Sequence, residues 1–208
     1  TNVAEGGFSI SWITDEATVG WVKLGTAADK LDQVIGDDRD QKSGDISDNL
    51  THQVTIRNLR PATNYWFKLG SGPGKRLYDN QGQAYRVTTA AGGSKPPAAD
   101  TAYGTVVTAA GEPAKGAIVY VQLPQATPLS TLVQDNGNWL VALSTARTSD
   151  LSAYAQYDLQ TTTVEILVQS GKGGVTTATV TTANDSPVPT LTLGKTYDLR
   201  EQSGTNPD

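Results

Sequence analysis

Hydrophobic and polar residues alternate one by one through much of the first ninety positions. Phe8, Ile10 and Trp12 alternate with Ser9, Ser11 and Ile13, and Val54 and Ile56 alternate with Thr55 and Arg57, which is the period of half-buried antiparallel strands. Residues 21–24, 64–69 and 85–89 read as further strands between Gly-, Asp- and Asn-rich stretches. The stretch 37–49 is too polar to bury and reads as a loop or an edge. Residues 91–100 have no apolar period and combine Gly and Ser with a Pro pair, the composition of a linker. Beyond it alternation resumes at 104–107, 117–123, 131–133, 139–143, 164–169, 175–181 and 190–193. Seven short strands in about 95 residues suggest a second sandwich.

The pattern therefore predicts an all-β chain of two tandem antiparallel β-sandwich (Ig-like) domains, residues 1–90 and 101–200, joined by the Gly/Pro/Ala linker 91–100 and followed by a polar tail, 201–208. A length of 208 residues suits two such domains. With no Cys and one His, thiol nucleophiles, disulfides, Cys-ligated metals and multi-histidine metal sites drop out. A net charge of −5 argues against nucleic acid, whose phosphates call for a basic face. No stretch approaches the roughly 20 apolar residues of a membrane span. The lack of Met reads as a processed chain, with an excised fragment as the alternative, and no basic-then-apolar signal segment stands at the N-terminus.

The run Leu59-Arg60-Pro61-Ala62-Thr63-Asn64-Tyr65 resembles the L-x-P-x-T-x-Y signature of fibronectin type III domains, with Trp12 where such domains carry a buried Trp. Thr51-His52-Gln53-Val54 ahead of it is similar to the version found before purple acid phosphatases and in bacterial surface proteins. The resemblance implies a tyrosine corner, in which the Tyr65 hydroxyl reaches back to nearby backbone. Only Thr1-Asn2-Val3-Ala4 precede the Glu5-Gly6-Gly7 turn, so the first strand of that fold is expected to be truncated and its sheet edge open. In the second half, Gly104-Thr105-Val106-Val107, then 111–121 with its G-x-P-x-x-G-A turn, and Asp135-Asn136-Gly137-Asn138-Trp139 resemble the carboxypeptidase-regulatory-like and collagen-adhesin B-type stalk domains. Gly137 is placed to supply the positive φ of a hairpin. This second resemblance implies a transthyretin-like sandwich used as a spacer outside the cell.

Catalytic and metal motifs find little support. His52 lies in an alternating strand with no G-x-S-x-G elbow to partner it. The run 70–75 lacks the Ser or Thr of a phosphate loop and reads as a hairpin. Asp37, Asp38, Asp40, Asp45 and Asp48 crowd one loop and are weak calcium candidates, because Lys42 breaks the EF-hand form. Lys115 and Lys195, with Asn184 or Glu165, make an unconvincing isopeptide set. The sequons at Asn49 and Asn184 matter only in a eukaryotic host.

The binding surface follows from register. If Tyr65, Phe67 and Leu69 face the core, then Trp66 and Lys68 point outward, and on the neighbouring strand Val22 and Leu24 inward leave Trp21 and Lys23 outward. Trp21, Lys23, Trp66 and Lys68 then form one exposed platform, covered by a protein partner or by the chain itself, with glycan stacking a further option. In the segment 196–208, Tyr197 and Leu199 alternate with polar residues as a strand donated to a neighbour would. The expected function is a non-enzymatic structural protein, extracellular or at the cell surface. It acts as a subunit of a filament built from copies of itself, or it contacts other surface proteins, with no cofactor. An adhesive or glycan-binding accessory module is the competing reading.

Overall fold

The computed structural model describes residues 1–72, 76–93 and 95–201. The elements run β1 (Phe8–Thr18), β2 (Gly20–Gly25), β3 (Gln33–Gly36), α1 (Asp38–Ser43), β4 (Asn49–Ile56), β5 (Asn64–Ser71), β6 (Arg76–Tyr78), β7 (Tyr85–Thr88), β8 (Ala102–Val107), β9 (Ile118–Gln122), β10 (Leu129–Leu132), β11 (Asn138–Val141), β12 (Thr163–Gln169), β13 (Val175–Thr181), β14 (Val188–Thr192) and β15 (Thr196–Asp198). The chain is mostly β, with one short α-helix among the described residues, and forms two sandwich units: Val3–Gly92, and Thr1–Asn2 together with the residues from Gly93 onward. Among the described residues no helix is long and apolar enough to cross a membrane.

In the first unit β1 pairs with β4, and the facing sheet runs β3-β2-β5-β6, with β7 also paired to β5. Alternation places Phe8, Ile10, Val22, Leu24, Val54, Ile56 and Tyr65 between the sheets as the buried core. The Arg60 N–H donates to the Tyr65 hydroxyl at 3.0 Å, closing the corner between the sheets. Among the described residues no strand precedes β1; Ala4 makes an isolated bridge to Gly7, and its carbonyl accepts from the Ala90 N–H at 3.0 Å.

The second unit packs a sheet of order β10-β9-β12-β13-β15 on a sheet of order β11-β8-β14. Its pairings are antiparallel except β13 with β15 and β14 with β8, which are parallel. Val119, Val121, Ile166, Val168, Leu191 and Trp139 lie in its core. Gly137 takes φ 85° in the turn before β11. The Thr192 N–H donates to the Tyr197 hydroxyl at 2.9 Å, at the same five-residue spacing as the Tyr65 corner.

Two expectations need correction. Tyr197 and Leu199 belong to their own sandwich. The segment forms β15 against β13, the Leu199 N–H donates to Thr179 at 2.8 Å, and Leu199 is buried in the core. The Asn184 amide donates to the Leu199 carbonyl at 2.8 Å and holds that end in place. Residues 202–208 of the proposed donor lie outside the described residues, as do residues 73–75 of the phosphate-loop-like run. The second correction is that 37–49 is not wholly exposed: Asp37 has no exposed surface, and α1 follows it.

Candidate functional site

The polar stretch after β3 explains how the first sandwich closes an edge. Among the described residues β4 pairs on one side only, with β1. On its other side the Gln53 N–H donates to Asp37 Oδ2 at 3.2 Å, the Thr55 N–H donates to Asp38 Oδ1 at 2.7 Å, and Arg39 donates to the Thr51 carbonyl. Two carboxylates and a guanidinium thus take the ladder positions of a missing strand, which blocks pairing with another chain at this edge. Thr55 Oγ1 also donates to Asp38 Oδ2 at 2.6 Å.

Asp37 anchors this cap. Arg39 grips it through Nε to Oδ1 at 2.8 Å and Nη2 to Oδ2 at 2.9 Å, the bidentate pairing suited to a carboxylate. His52 Nδ1 lies 3.5 Å from Oδ2, longer than a full hydrogen bond, so the guanidinium supplies the firmer contact. Burial by itself would raise the Asp37 pKa, but His52 and Arg39 outweigh it and hold the carboxyl well below the usual range. His52 is fully buried, with its ring stacked on Trp12 at 4.8 Å between centroids. Asp40 accepts from the Ser47 N–H at 3.1 Å and from Ser47 Oγ at 2.9 Å, while Asp45 is exposed. Three of the five calcium candidates, Asp37, Asp38 and Asp40, therefore already hold protein donors. Among the described residues, no group of three or more His, Cys, Asp or Glu is arranged to hold a metal ion.

The outer face of the larger sheet carries the apolar surface. Register sets Trp21 opposite Gly70, Lys23 opposite Lys68 and Gly25 opposite Trp66. Val22 and Leu24 are in the core, so Trp21, Lys23, Trp66 and Lys68 share the outer face. They do not form one uniform platform. Trp21 and Lys23 line a groove of about 710 Å³ whose walls include Val34, Ile46 and Leu77. Lys68 is drawn away to Asp79, Nζ to Oδ2 2.8 Å, and Trp66 sits beside Arg86 of β7, outside the groove lining. Sequence reasoning missed the groove walls. Val34 is 63% exposed and Ile46 78% exposed, and β3 places Val34 directly beside Lys23. The signal for Ile46 was present: it is a lone aliphatic residue in a polar loop.

The floor of the groove depends on Gly70. A Cβ there would lie 2.0 Å from Cε2 and 2.1 Å from Nε1 of Trp21, so the indole rests directly on the Gly70 backbone. Gly70→Ala is expected to lift Trp21 off the sheet. The check is a shift in tryptophan emission with an unchanged far-ultraviolet circular dichroism spectrum; unchanged emission would contradict this packing.

In the second unit, Lys115 is exposed and pairs with Asp135 at 3.1 Å, and the Asn184 amide uses both of its ends, accepting from Thr181 and donating to Leu199. Neither is placed for an isopeptide bond.

Residues 1–89 match the family model described as the purple acid phosphatase N-terminal domain. The chain is also similar to the crystal structure of chicken CNTN1 FN1-FN3 domains, at 13% identity over 91% of this chain and 64% of that one, with a TM-score of 0.31. It therefore spans less than two thirds of that structure. No curated protein matches the sequence.

Proposed function

We propose that this chain is a non-enzymatic structural module of the cell exterior that associates with copies of itself, sandwich against sandwich. The observation that carries the reading is the groove around Trp21. Its exposed aliphatic rim, with Val34 and Ile46 mostly in solvent, is the kind of surface that marks a protein contact. The patch is also self-complementary. It holds a projecting Ile46 and a groove able to receive it, and both Lys23 and Asp40 lie along the lining. A two-fold copy would set knob against groove and cation against anion. The second sandwich carries another apolar pair, Tyr103 and Leu140, exposed and opposite each other on β8 and β11. One isologous contact closes into a dimer, and a second on the same chain extends assembly beyond the dimer, into an open filament where the two axes do not meet.

Strand donation by β15 is not part of this reading, because Leu199 is a core residue. The non-enzymatic reading rests on the buried, stacked position of the one His and on the absence of Cys. Placement outside the cell rests on the resemblance of the second half to stalk domains. The adhesive or glycan-binding alternative draws on the Trp21 ring, which lies on Gly70 as a sugar-stacking platform would.

Light scattering of the full chain tests the reading. Trp21→Ser and Ile46→Asp are each expected to weaken association by about 2 kcal/mol, roughly thirtyfold, with both sandwiches folded. Assembly unaffected by either change would refute it. A chain that stays monomeric but binds immobilised oligosaccharides through Trp21 would favour the alternative.

A further inference from the structure

The outer face of the smaller sheet of the second sandwich carries a hollow of about 390 Å³, and none of the residues that line it is charged. That volume is in the range of small-molecule sites. Register builds the hollow: Tyr103 stands opposite Leu140 and Thr105 opposite Asn138 across β8 and β11, while Ala102, Val106, Trp139 and Val141 turn into the core. Val188 pairs with Gly104 and Leu191 with Val106, so β14 carries one extra residue, and this bulge brings Thr190 to the rim. Gln134 closes the end beside Asn138, whose carbonyl accepts the Gln134 N–H at 2.8 Å.

The lining combines an open ring with polar groups. Tyr103 is 42% exposed. Asn138 Oδ1 accepts from Thr105 Oγ1 at 3.0 Å, which leaves its Nδ2 hydrogens to bond elsewhere. The side chains of Gln134 and Thr190 are exposed along the same hollow. An aromatic face takes the C–H side of a pyranose ring, amides and hydroxyls pair with its hydroxyl groups, and a charged ligand would lose water without gaining a counter-charge.

We propose that this hollow binds a neutral oligosaccharide, with Tyr103 stacked on one pyranose ring and Asn138, Gln134 and Thr190 bonding its hydroxyls. An added peptide strand suits the face less well, because backbone pairing needs an open edge and β8 is the central strand between β11 and β14. The hollow is separate from the Trp21 groove, which lies on the first sandwich. Tyr103 and Leu140 also form the second self-contact, so a saccharide and a second copy exclude each other at this face.

Saturation-transfer difference NMR of the full chain with maltohexaose, cellohexaose or N-acetylchitohexaose in millimolar excess tests the proposal, with circular dichroism as the folding control. Transfer to the ring C–H protons of at least one of these neutral sugars is expected. Its affinity should fall at least about tenfold in Tyr103→Ala, which removes the stacking face, and should fall in Gln134→Ala as well. Tyr78→Ala, which removes an exposed ring of the first sandwich, should leave it unchanged. Hexagalacturonate, with a carboxylate on every ring, should bind more weakly than the neutral sugar. No transfer to any of the three, binding that survives Tyr103→Ala, binding lost in Tyr78→Ala, or hexagalacturonate bound as tightly would each overturn the proposal. Should Tyr103→Ala fail to fold, Gln134→Ala decides.

Discussion

Replacing Asp37 with alanine is expected to destabilise the first sandwich by about 3–5 kcal/mol, the cost of removing one partner of a buried charge pair. Three consequences combine. The Arg39 guanidinium loses both its bonds to the carboxylate, His52 loses its only charged neighbour among the contacts seen, and the Gln53 N–H at the β4 edge loses its acceptor. Such a loss is a large share of the stability of a small domain. Urea unfolding followed by tryptophan emission reads it directly, since Trp12, Trp21 and Trp66 all lie in this unit. A loss below about 1 kcal/mol would mean that the carboxylate cap contributes little. The edge consequence is separate: the variant should also aggregate more readily, because a bared strand edge pairs with others.

Two buried carboxylates, one in each sandwich, are expected to respond to acid in opposite directions. Asp37 has its pKa depressed in the folded state, so the stability it gives is present above the ordinary carboxyl value, near 4, and is lost as the pH falls below that. Asp185 is the reverse case. Burial, with a contribution from Asp100, pushes it up to about 6, while Ser186 opposes the rise. Its folded pKa exceeds its unfolded one, so its burden is absent below about pH 4, grows between 4 and 6, and is complete above 6. The difference between 3.8 and about 6 corresponds to as much as about 3 kcal/mol at neutral pH. Asp185→Asn should therefore stabilise the second sandwich at pH 7 by up to that amount and have little effect at pH 4. Hydrogen exchange of the β12 and β13 amides, corrected for intrinsic rates at each pH, measures it. A stabilisation by Asp185→Asn as large at pH 4 as at pH 7 would contradict this account of Asp185.

What the sequence reveals, and what it hides, follows from length and distance. β1, β2, β4 and β5 are long enough to show a period of two, and the Tyr65 corner fixes which residues face inward, so Trp21 and Trp66 could be assigned to the outer face. β3 and β6 are four and three residues long, too short to show a period. The groove walls Val34 and Leu77 sit on them, so the groove appears only once strand register brings Val34 beside Lys23 and Leu77 beside Gly70. The burial of Asp37 was hidden because a window rich in Asp reads as solvated, while the groups that make burial tolerable include His52 on another strand. The burial of Asp185 is hidden for a similar reason: backbone pairing of Tyr103 on β8 with the segment before β14, remote in sequence, is what encloses it. Tyr197 and Leu199 alternate as a strand should, but nothing in that alternation tells a strand added to a neighbour from one returning in parallel to its own sheet.

The central claim is that copies of the chain meet through the groove face of the first sandwich. Hydrogen exchange of the full chain, measured at increasing protein concentration, tests it at residue level. Protection is expected to rise with concentration over β2, β3 and the residues around Ile46, and to be absent in Ile46→Asp. Exchange that does not depend on concentration, or protection that gathers at β15 instead, would contradict the account.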